Sequence, residues 1–365
     1  MSELELRYPA SPAGTRVRFA PGGLRRLGDF VRQTTSATRV LVVSDRGVAP
    51  LYAGTAIASL RRAGLAAALE VIPRGERSKN AVLLARLWNR LAEARLDRGD
   101  AVVALGGGVV GDLAGFAAAT WLRGISWVAV PTTLLAQVDS AVGGKTAIDL
   151  AAGKNLAGSF HQPRGVLVDA ETLGTLPARH VRAGLAEVVK MGMAVEAPLF
   201  RWIESRLDKL AAADLRTLAA AAERAVRAKA RVVTRDERER GARTALNFGH
   251  TTGHALEAAL GYRRLLHGEA VAIGMRVAAT LSVAAAGLSE GDRLRLDRVL
   301  DGLSLPRRVP GVPVRRLVDA MRLDKKRARG ETRWVLTPRV GFASVPRQIS
   351  GRLVRAALLA AGARG

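Results

Sequence analysis

Cysteine is absent from the sequence, which excludes disulfides, thiolate zinc fingers, iron–sulfur clusters and a cysteine nucleophile. Any metal ion must therefore bind nitrogen and oxygen ligands. Glycine or charge interrupts the apolar stretches before they reach the ~18 residues that a membrane helix needs, so we expect no membrane partner. The N-terminus, MSELELRYPASP, contains acids and no apolar core, so we do not expect it to be a secretory signal. These absences predict a soluble cytoplasmic protein.

Aromatic residues are also scarce, at 4% of 365 residues, whereas the formal net charge is +25. Such a charge is compatible with nucleic-acid binding. The basic residues are nevertheless spread along the whole chain, without a basic tail or an aromatic pattern for base stacking. We therefore favour a solvated basic surface over a nucleic-acid partner. The apolar share of 48% is ample for a core, and the length indicates about two domains.

Lysine is rare, because only eight of the 57 basic residues are lysine and the others are arginine. Where arginine is the usual cation, a lysine indicates a position that needs a compact ammonium rather than a planar guanidinium. The eight lysines are Lys79, Lys145, Lys154, Lys190, Lys209, Lys229, Lys325 and Lys326.

The first half of the chain alternates strand-like and helix-like segments. Short apolar runs predict strands at 39–45, 65–73, 100–106, 126–131 and 165–169. Such alternation is typical of a mostly parallel sheet with helices on both faces. After about residue 178, Ala/Leu/Arg-rich segments with 3–4 spacing predict helices. We expect an α/β domain over residues 1–178 and a mostly α-helical domain over 179–365.

A glycine-rich segment follows the predicted strand at 100–106. Gly106, Gly108 and Gly111 satisfy G-x-G-x-x-G between a strand and a helix, where backbone N–H groups approach a pyrophosphate. The acid usually found about 20 residues later is missing, and Asp45 at the end of the first predicted strand is an alternative ribose ligand. A tight turn and a helix cap are equally compatible with these residues.

Two further groups of residues indicate ligands. Lys145 and Lys154 lie beside glycines, which lets ammonium and N–H groups converge on an anion, although a flexible loop has the same pattern. Three of the five histidines lie within one short segment, and Glu187 precedes them in a helix-like run. Histidine and glutamate are natural ligands of Zn²⁺ or a similar ion. Spacing does not decide which histidines bind it.

Together these segments resemble the 3-dehydroquinate synthase family, among the sugar-phosphate cyclases. The resemblance extends from about residue 42 to about residue 330, over GERSK, GGGVVGD, WLRG, PTTLLAQVDSAVGGKTAID, GKN, AEVVK, LNFGHTTGHALE and HGEAVA. It implies an N-terminal Rossmann-like NAD-binding α/β domain, a C-terminal mostly helical metal- and substrate-binding domain, an active site between them, and a homodimer.

The resemblance also implies roles for individual residues. The implied metal ligands are Glu187, His250 and His267, with His254 on the substrate side. The implied NAD contacts are Asp45, Glu76, Lys79, Gly107, Gly108, Val109, Asp112, Thr132, Thr133, Thr175 and Leu176. The implied catalytic residues are Lys145, Asn155, Lys190, Glu239, Asn247 and His254. The implied substrate contacts are Asp139, Lys154, Lys229, Arg243, one of Lys325 and Lys326, and Arg123, which reaches the neighbouring subunit.

The implied reaction converts 3-deoxy-D-arabino-heptulosonate 7-phosphate into 3-dehydroquinate and phosphate, within the shikimate pathway. It needs NAD and one divalent metal ion, zinc or cobalt. Another sugar-phosphate cyclase and a glycerol-type metal-dependent dehydrogenase are the alternatives. Two features depart from the family pattern: Thr252 is commonly Phe, and residues 177–180 replace a segment that is often acidic and aromatic.

Overall fold

The computed structural model describes residues 1–326, 333–343 and 347–365, without the side chains of 12, 13 and 323–326. The described chain divides into two compact units, Met1–Leu176 and Pro177–Gly365. The division lies two residues before the boundary that the sequence predicts. The predicted fold class, a parallel α/β part followed by a helical part, is confirmed.

The first unit contains a seven-stranded sheet in the order β1-β2-β9-β6-β5-β3-β4. Every neighbouring pair is parallel except the N-terminal hairpin of β1 and β2. The strands are β1 (Ser2–Tyr8), β2 (Ser11–Phe19), β3 (Arg39–Asp45), β4 (Ala66–Ile72), β5 (Ala101–Gly106), β6 (Ser126–Pro131) and β9 (Gly165–Val168). The helices are α1 (Leu27–Thr34), α2 (Ala49–Arg62), α3 (Ala81–Glu93) and α4 (Gly108–Thr120).

The central strands explain why the predicted strands read as uninterrupted apolar runs. All six residues of β5 are buried, as are six of the seven residues of β3. Parallel strands covered by helices on both faces have no solvent-facing side and therefore no polar alternation. The N-terminal hairpin lies at the sheet edge, where β1 alternates exposed and buried positions before it ends. Its apolar content is too low to predict a buried strand.

The strand order contains a reversal beside β3. From β3 the chain continues to β4 on one side and then returns to β5 on the other. In open parallel sheets, ligands bind at the carboxyl ends of the strands where the order reverses. The ends of β3 and β5 are Asp45 and Gly106, so the fold places the predicted ribose and pyrophosphate ligands at such a point.

The segment at 130–163, whose glycines and lysines are equally typical of a flexible loop, forms a second small sheet. Strands β7 (Lys145–Leu150) and β8 (Gly153–Phe160) pair as an antiparallel hairpin. The hairpin packs against α4 through β7. The Thr146 hydroxyl donates to the Ser159 carbonyl at 3.0 Å across the pair. Lys145, Lys154 and Asn155 therefore lie on ordered strands.

The second unit is built from helices. They are α5 (Ala178–Ala194), α6 (Ala197–Glu204), α7 (Leu207–Ala211), α8 (Leu215–Val233), α9 (His250–Ala259), α10 (His267–Ala285), α11 (Glu290–Gly302), α12 (Val314–Lys326) and α13 (Gly351–Ala360), with a short pair β10 (Arg333–Trp334) and β11 (Arg347–Gln348). Helix α10 packs against α5, α9, α11 and α13. A Cβ at Gly268 would lie 1.8 Å from the Ala183 carbonyl oxygen, so only glycine allows α5 and α10 to approach so closely.

Helix α10 is also long and apolar enough to cross a membrane by length and composition alone. However, 78% of its apolar window is buried inside the second unit. A buried position of this kind is that of a core helix, whose apolar faces pack on other helices rather than on lipid.

Candidate active-site residues

The turn after β5 leads from a parallel strand directly into a helix through glycines. Gly107 caps α4, which begins at Gly108, and the first N–H groups of that helix have no partner within the helix. A Cβ at Gly107 would lie 3.2 Å from Thr133 Cγ2, and one at Gly108 would lie 3.1 Å from Ser140 Oγ. Glycine at both positions therefore avoids side-chain crowding at the N-terminus of α4, and helix N-termini of this kind bind pyrophosphate in dinucleotide sites. The predicted strand–turn–helix context of the glycine motif is confirmed.

Asp45, at the end of β3, caps the turn that follows, which is one of the two roles compatible with the sequence. Its Oδ1 accepts hydrogen bonds from the backbone N–H groups of Gly47 at 2.7 Å and Val48 at 3.1 Å. Within the described chain, Oδ2 accepts no hydrogen bond. One oxygen thus fixes the turn, and the other has capacity for a hydroxyl donor.

Lys79 lies at the centre of a buried charge cluster. Its Nζ donates to Asp112 Oδ2 at 2.7 Å and to Asn155 Oδ1. Two further carboxylates, Asp149 and Glu76, each have an oxygen 3.9 Å from Nζ. A lysine with 4% of its side chain exposed is expected to have such partners, because a buried ammonium without them is costly.

Burial and the charges of the cluster together determine the pKa values of Lys79 and Asp112. Burial lowers the pKa of Lys79, but the attraction of the three carboxylates is stronger and the pKa lies above 10.5. Burial raises the pKa of the Asp112 carboxyl to about 6, against the attraction of Lys79. The surrounding carboxylates favour the protonated form of Lys79, whereas burial is the largest cause of the raised pKa of Asp112. The cluster therefore has capacity for another cation or hydrogen-bond donor.

Asp149, which the sequence analysis did not assign, joins this cluster to the hairpin of β7 and β8. Its backbone N–H donates to the Lys79 carbonyl at 2.7 Å, and its Oδ1 accepts from the Asn155 N–H at 2.8 Å. Asn155 has φ of 55°, a conformation that is costly for most residues and acceptable for asparagine. Lys154 extends from the same strand to Glu76, with Nζ 3.2 Å from Oε1. The sequence feature that indicates Asp149 is its position in TAID, close to GKN.

The remaining assigned residues of the first unit lie on loops or element ends. Thr132 is buried, and its Oγ1 has no hydrogen bond within the described chain. Thr133 Oγ1 accepts from the Ala136 N–H at 3.1 Å, and the Thr175 hydroxyl lies 2.5 Å from the Tyr52 hydroxyl. The others are Val109 in the first turn of α4, Asp139 in a π-helical turn, Lys145 at the start of β7, and Leu176 at the end of the unit.

Arg123 lies on a strained and exposed turn after α4. Leu122 and Arg123 both have left-handed backbones, with φ of 49° and 70°. Two successive residues with a side chain in this region are unfavourable and occur where the surrounding structure enforces them. Arg123 is exposed at the surface of the unit.

In the second unit, Glu187, His250 and His267 converge. His267 Nε2 lies 3.6 Å and His250 Nε2 lies 3.9 Å from Glu187 Oε1. One ligand atom of each residue lies within 4.8 Å of the other two. Glu187 comes from α5, His250 begins α9 and His267 begins α10, so three helices supply one ligand each.

The chemistry of these donors fits a divalent cation. Glu187 is fully buried, and neither of its carboxylate oxygens takes part in a hydrogen bond within the described chain. The Lys190 ammonium, one turn later on α5, forms an ion pair with Oε2 without hydrogen-bond geometry. A buried carboxylate with such incomplete partners, facing two imidazole nitrogens, is a typical setting for Zn²⁺.

Two more groups surround this triad. His254 lies on α9 with its ring centroid 5.3 Å from that of His250, and its side chain is exposed. Glu257, one turn later on α9, is buried, and its Oε2 lies 3.3 Å from His267 Nδ1. Glu257 has no role predicted from the sequence, although its spacing of seven from His250 places both residues on one helix face.

The segment between α8 and α9 carries Glu239, Arg243 and Asn247. Asp236 organises this segment, because its carboxylate accepts from the backbone N–H groups of Arg240, Gly241 and Arg243 at 2.8–2.9 Å. Burial alone raises the pKa of Asp236, but these three hydrogen bonds are stronger in sum and hold it below 3.8. Asp236 is a third residue, after Asp149 and Glu257, whose role was not predicted from the sequence.

Within this segment the side chains are oriented by short contacts. Asn247 Nδ2 donates to Glu239 Oε1 at 2.6 Å, and Glu239 itself has φ of 56°. The Arg243 guanidinium is buried and donates to the Glu237 carbonyl. Lys229, on α8, is buried as well. The side chains of Lys325 and Lys326, at the end of α12, lie outside the described residues.

Family models and individual relatives indicate the same protein family for this chain. Residues 69–183 match the family described as 3-dehydroquinate synthase N-terminal, and residues 184–327 match the family described as 3-dehydroquinate synthase C-terminal. A protein of Pelobacter propionicus named 3-dehydroquinate synthase is 49% identical over 320 residues, which cover 88% of this chain and 89% of that protein.

Solved structures share the fold over nearly the whole chain. A 2-deoxy-scyllo-inosose synthase complexed with carbaglucose-6-phosphate, NAD⁺ and Co²⁺ has a TM-score of 0.90 at 26% identity, covering 98% of this chain and 99% of its own. A 2-epi-5-epi-valiolone synthase from Streptomyces hygroscopicus subsp. jinggangensis, with NAD⁺ and Zn²⁺ bound, has a TM-score of 0.85 at 29% identity, covering 99% and 98%.

Proposed function

This chain belongs to the 3-dehydroquinate synthase family, and we propose that it converts 3-deoxy-D-arabino-heptulosonate 7-phosphate into 3-dehydroquinate and phosphate. The net reaction is a carbon–oxygen lyase step without net redox change. The observation that carries the proposal is the triad of Glu187, His250 and His267, with a buried carboxylate whose oxygens have no hydrogen bond in the described chain.

The protein's part in this chemistry begins with holding two cofactors. Glu187, His250 and His267 would hold the divalent ion, zinc or cobalt, and the open N-terminus of α4 with Asp45 would hold NAD. When bound, the ion supplies polarisation of substrate oxygens, and NAD supplies a hydride acceptor that is restored by the end of the cycle. Two sugar-phosphate cyclases of the same fold are known with NAD⁺ and Co²⁺ or Zn²⁺.

The substrate has a carboxylate at one end and a phosphate at the other, and the cations of the site suit both. We assign the carboxylate to Lys229 and Arg243, because a guanidinium already oriented by the Glu237 carbonyl loses little entropy when it binds a planar anion. We assign the phosphate to Lys145, Asn155, Asn247, His254 and the partner subunit's Arg123. Fixing both ends of one molecule makes the final ring closure unimolecular.

Other side chains position these groups. Glu239 accepts from Asn247 Nδ2 and so directs the Asn247 carbonyl oxygen away from itself. Lys190 forms an ion pair with Glu187 and keeps a positive charge beside the reacting hydroxyls. Asp139 and Lys154 complete the proposed shell, with one of Lys325 and Lys326. The proton lost during phosphate elimination is assigned to the departing phosphate, so the step needs no side-chain base.

The single most informative experiment follows phosphate and NADH together. We expect the purified protein with NAD to release phosphate from the heptulosonate phosphate without net NADH accumulation, and a chelator to abolish release until Zn²⁺ or Co²⁺ is restored. Glu187→Gln should lose bound metal and activity together, whereas Glu204→Gln, on α6, should retain both. Accumulation of NADH without phosphate would instead indicate a glycerol-type dehydrogenase.

We also propose a homodimer in the cytoplasm, with the partner subunit's Arg123 completing each phosphate site. The exposed and strained turn at Arg123 supports this assignment. Mixing Arg123→Ala subunits with Glu187→Gln subunits should restore part of the activity, because one mixed site then has both residues intact. Absence of recovery in verified mixed dimers would contradict the shared site.

A further inference from the structure

The two histidines of the proposed metal triad have the same arrangement of ring nitrogens. In each, Nε2 faces Glu187 Oε1, at 3.9 Å for His250 and 3.6 Å for His267. In each, Nδ1 faces a hydrogen-bond acceptor on the other side of the ring. That acceptor is the Phe248 carbonyl at 3.4 Å for His250, and Glu257 Oε2 at 3.3 Å for His267.

The acceptors determine which nitrogen carries the proton. A carbonyl or an ionised carboxylate can only accept, so an imidazole Nδ1 that faces one is the protonated nitrogen. The lone pair is then on Nε2, which points towards Glu187 in both rings. Glu257 differs from the Phe248 carbonyl in its negative charge, which also makes the imidazole a stronger donor to a metal.

Glu257 is held in place for this contact. It lies on α9, seven residues after His250, and only 9% of its side chain is exposed. His267 is the first residue of α10, and α9 and α10 pack against each other. The contact from Glu257 therefore fixes a histidine at a helix start, where the ring would otherwise have more rotational freedom.

We infer that Glu257 is a positioning residue, which orients His267 and fixes its tautomer through Nδ1 so that Nε2 binds the catalytic metal ion. The inference rests on the proposed function, since it needs the metal site of Glu187, His250 and His267. In this role the buried Glu257 carboxylate acts through His267 and is not itself a ligand of the ion. Loss of such partners typically weakens metal affinity by about 10–100-fold.

A second metal site that includes Glu257 and His267 is the competing explanation of this contact. His254, Glu257 and His267 offer a second set of three ligand atoms within 4.8 Å of one another. If these residues bound a separate ion, His267 Nδ1 would be a ligand rather than a donor to Glu257. Zinc stoichiometry distinguishes the two uses, because positioning requires one ion per chain and a separate site requires two.

The test measures zinc binding rather than turnover. Wild type, Glu257→Gln, Glu257→Ala and the control Glu204→Gln are loaded with Zn²⁺, and their affinities are measured by competition with a chromophoric chelator. We expect about 10–100-fold weaker binding for Glu257→Ala, a smaller loss for Glu257→Gln, whose amide oxygen can still accept from Nδ1, and no change for Glu204→Gln. Wild type should bind one zinc per chain.

Histidine-selective ¹⁵N labelling gives a second readout, since the chain has only five histidines. In the zinc-loaded wild type, the His267 Nδ1–H should give a protected proton signal, which should be lost in Glu257→Ala. Thermal midpoints of the zinc-loaded proteins distinguish the positioning of His267 from a general packing effect. A packing effect lowers the midpoint and leaves zinc affinity unchanged.

The outcomes distinguish failure of the role of Glu257 from failure of the proposed metal site. Unchanged zinc affinity in both Glu257 variants, with lost affinity in Glu187→Gln, overturns the role of Glu257 alone. Unchanged affinity in Glu187→Gln overturns the metal site itself. Two zinc ions in wild type and one in Glu257→Ala overturns positioning in favour of a second ion.

Discussion

The ion pair of Glu187 and Lys190 allows a prediction that can be worked out from the structure. Both residues lie on α5, with 0% and 2% of their side chains exposed, respectively. Removing one partner of a buried pair costs about 3–5 kcal/mol, because the remaining charge loses its compensation in a medium of low polarity. We therefore expect Glu187→Gln to destabilise the metal-free protein by about that amount.

The expected shift in melting temperature is large enough to measure. For a domain of about 150–250 residues, 1 kcal/mol corresponds to roughly 2–4 °C. A loss of about 3–5 kcal/mol then lowers the midpoint by on the order of 6–20 °C. The double variant Glu187→Gln/Lys190→Met should recover most of this loss, because it removes both buried charges, yet it should bind no metal.

The assay is calorimetry of chelator-treated protein at neutral pH, for wild type, both single variants and the double variant. A midpoint for Glu187→Gln within about 2 °C of wild type, equivalent to less than about 1 kcal/mol, would refute the buried-pair reasoning. A double variant that is less stable than either single variant would refute it as well. Metal analysis of the same preparations, before chelation, tests the ligand role of Glu187 independently.

Three further predictions concern residues that shape the site. Asp236→Asn should lower stability above about pH 4, and the difference from wild type should shrink as pH falls through the depressed pKa of Asp236, measured by denaturant melts. Gly108→Ala should weaken NAD binding at least about tenfold by calorimetric titration, because its methyl group would lie 3.1 Å from Ser140 Oγ and disturb the first turn of α4, whereas Gly54→Ala in α2 meets no atom within 4 Å and should not. Asp149→Asn should raise the KM for the phosphorylated substrate more than it lowers kcat, because Oδ1 fixes the backbone that carries Asn155.

Each of these predictions has an outcome that contradicts it. A stability difference for Asp236→Asn that stays constant to low pH would mean that its carboxylate charge is irrelevant. Equal NAD affinities for the two glycine variants would show that NAD does not bind at the turn after β5. A fall in kcat alone for Asp149→Asn would indicate a direct chemical role in place of a supporting one.

Much of the fold could be predicted from short-range patterns. The five predicted strands correspond to β3, β4, β5, β6 and β9 within one residue at each end. Strands buried on both faces contain almost only apolar residues, so they stand out in the sequence. The N-terminal hairpin of β1 and β2 and the hairpin of β7 and β8 were missed, because strands at the surface carry polar residues that resemble those of loops.

The candidate site was predictable where rare residue types concentrate. Scarce lysines marked Lys79 and Lys190, and scarce histidines together with Glu187 marked a metal-binding region, without any knowledge of the fold. The choice of His250 and His267 as ligands came from the family resemblance. The missed residues, Asp149, Asp236 and Glu257, are acids of common type at unremarkable positions. Their role comes from contacts with backbone N–H groups or a histidine ring. Amino-acid composition does not predict such contacts.

The sequence by itself determined the alternation of strands and helices, the change to helices near residue 178, and the donor types available to a metal ion. Those properties depend on periodicity and on the identity of single residues. Only the tertiary structure decided which histidine nitrogens face Glu187, that Lys79 gathers three carboxylates, and that Glu257 faces a ring nitrogen. These contacts join residues from different helices and strands, whose relative distances are fixed by packing and not by spacing along the chain.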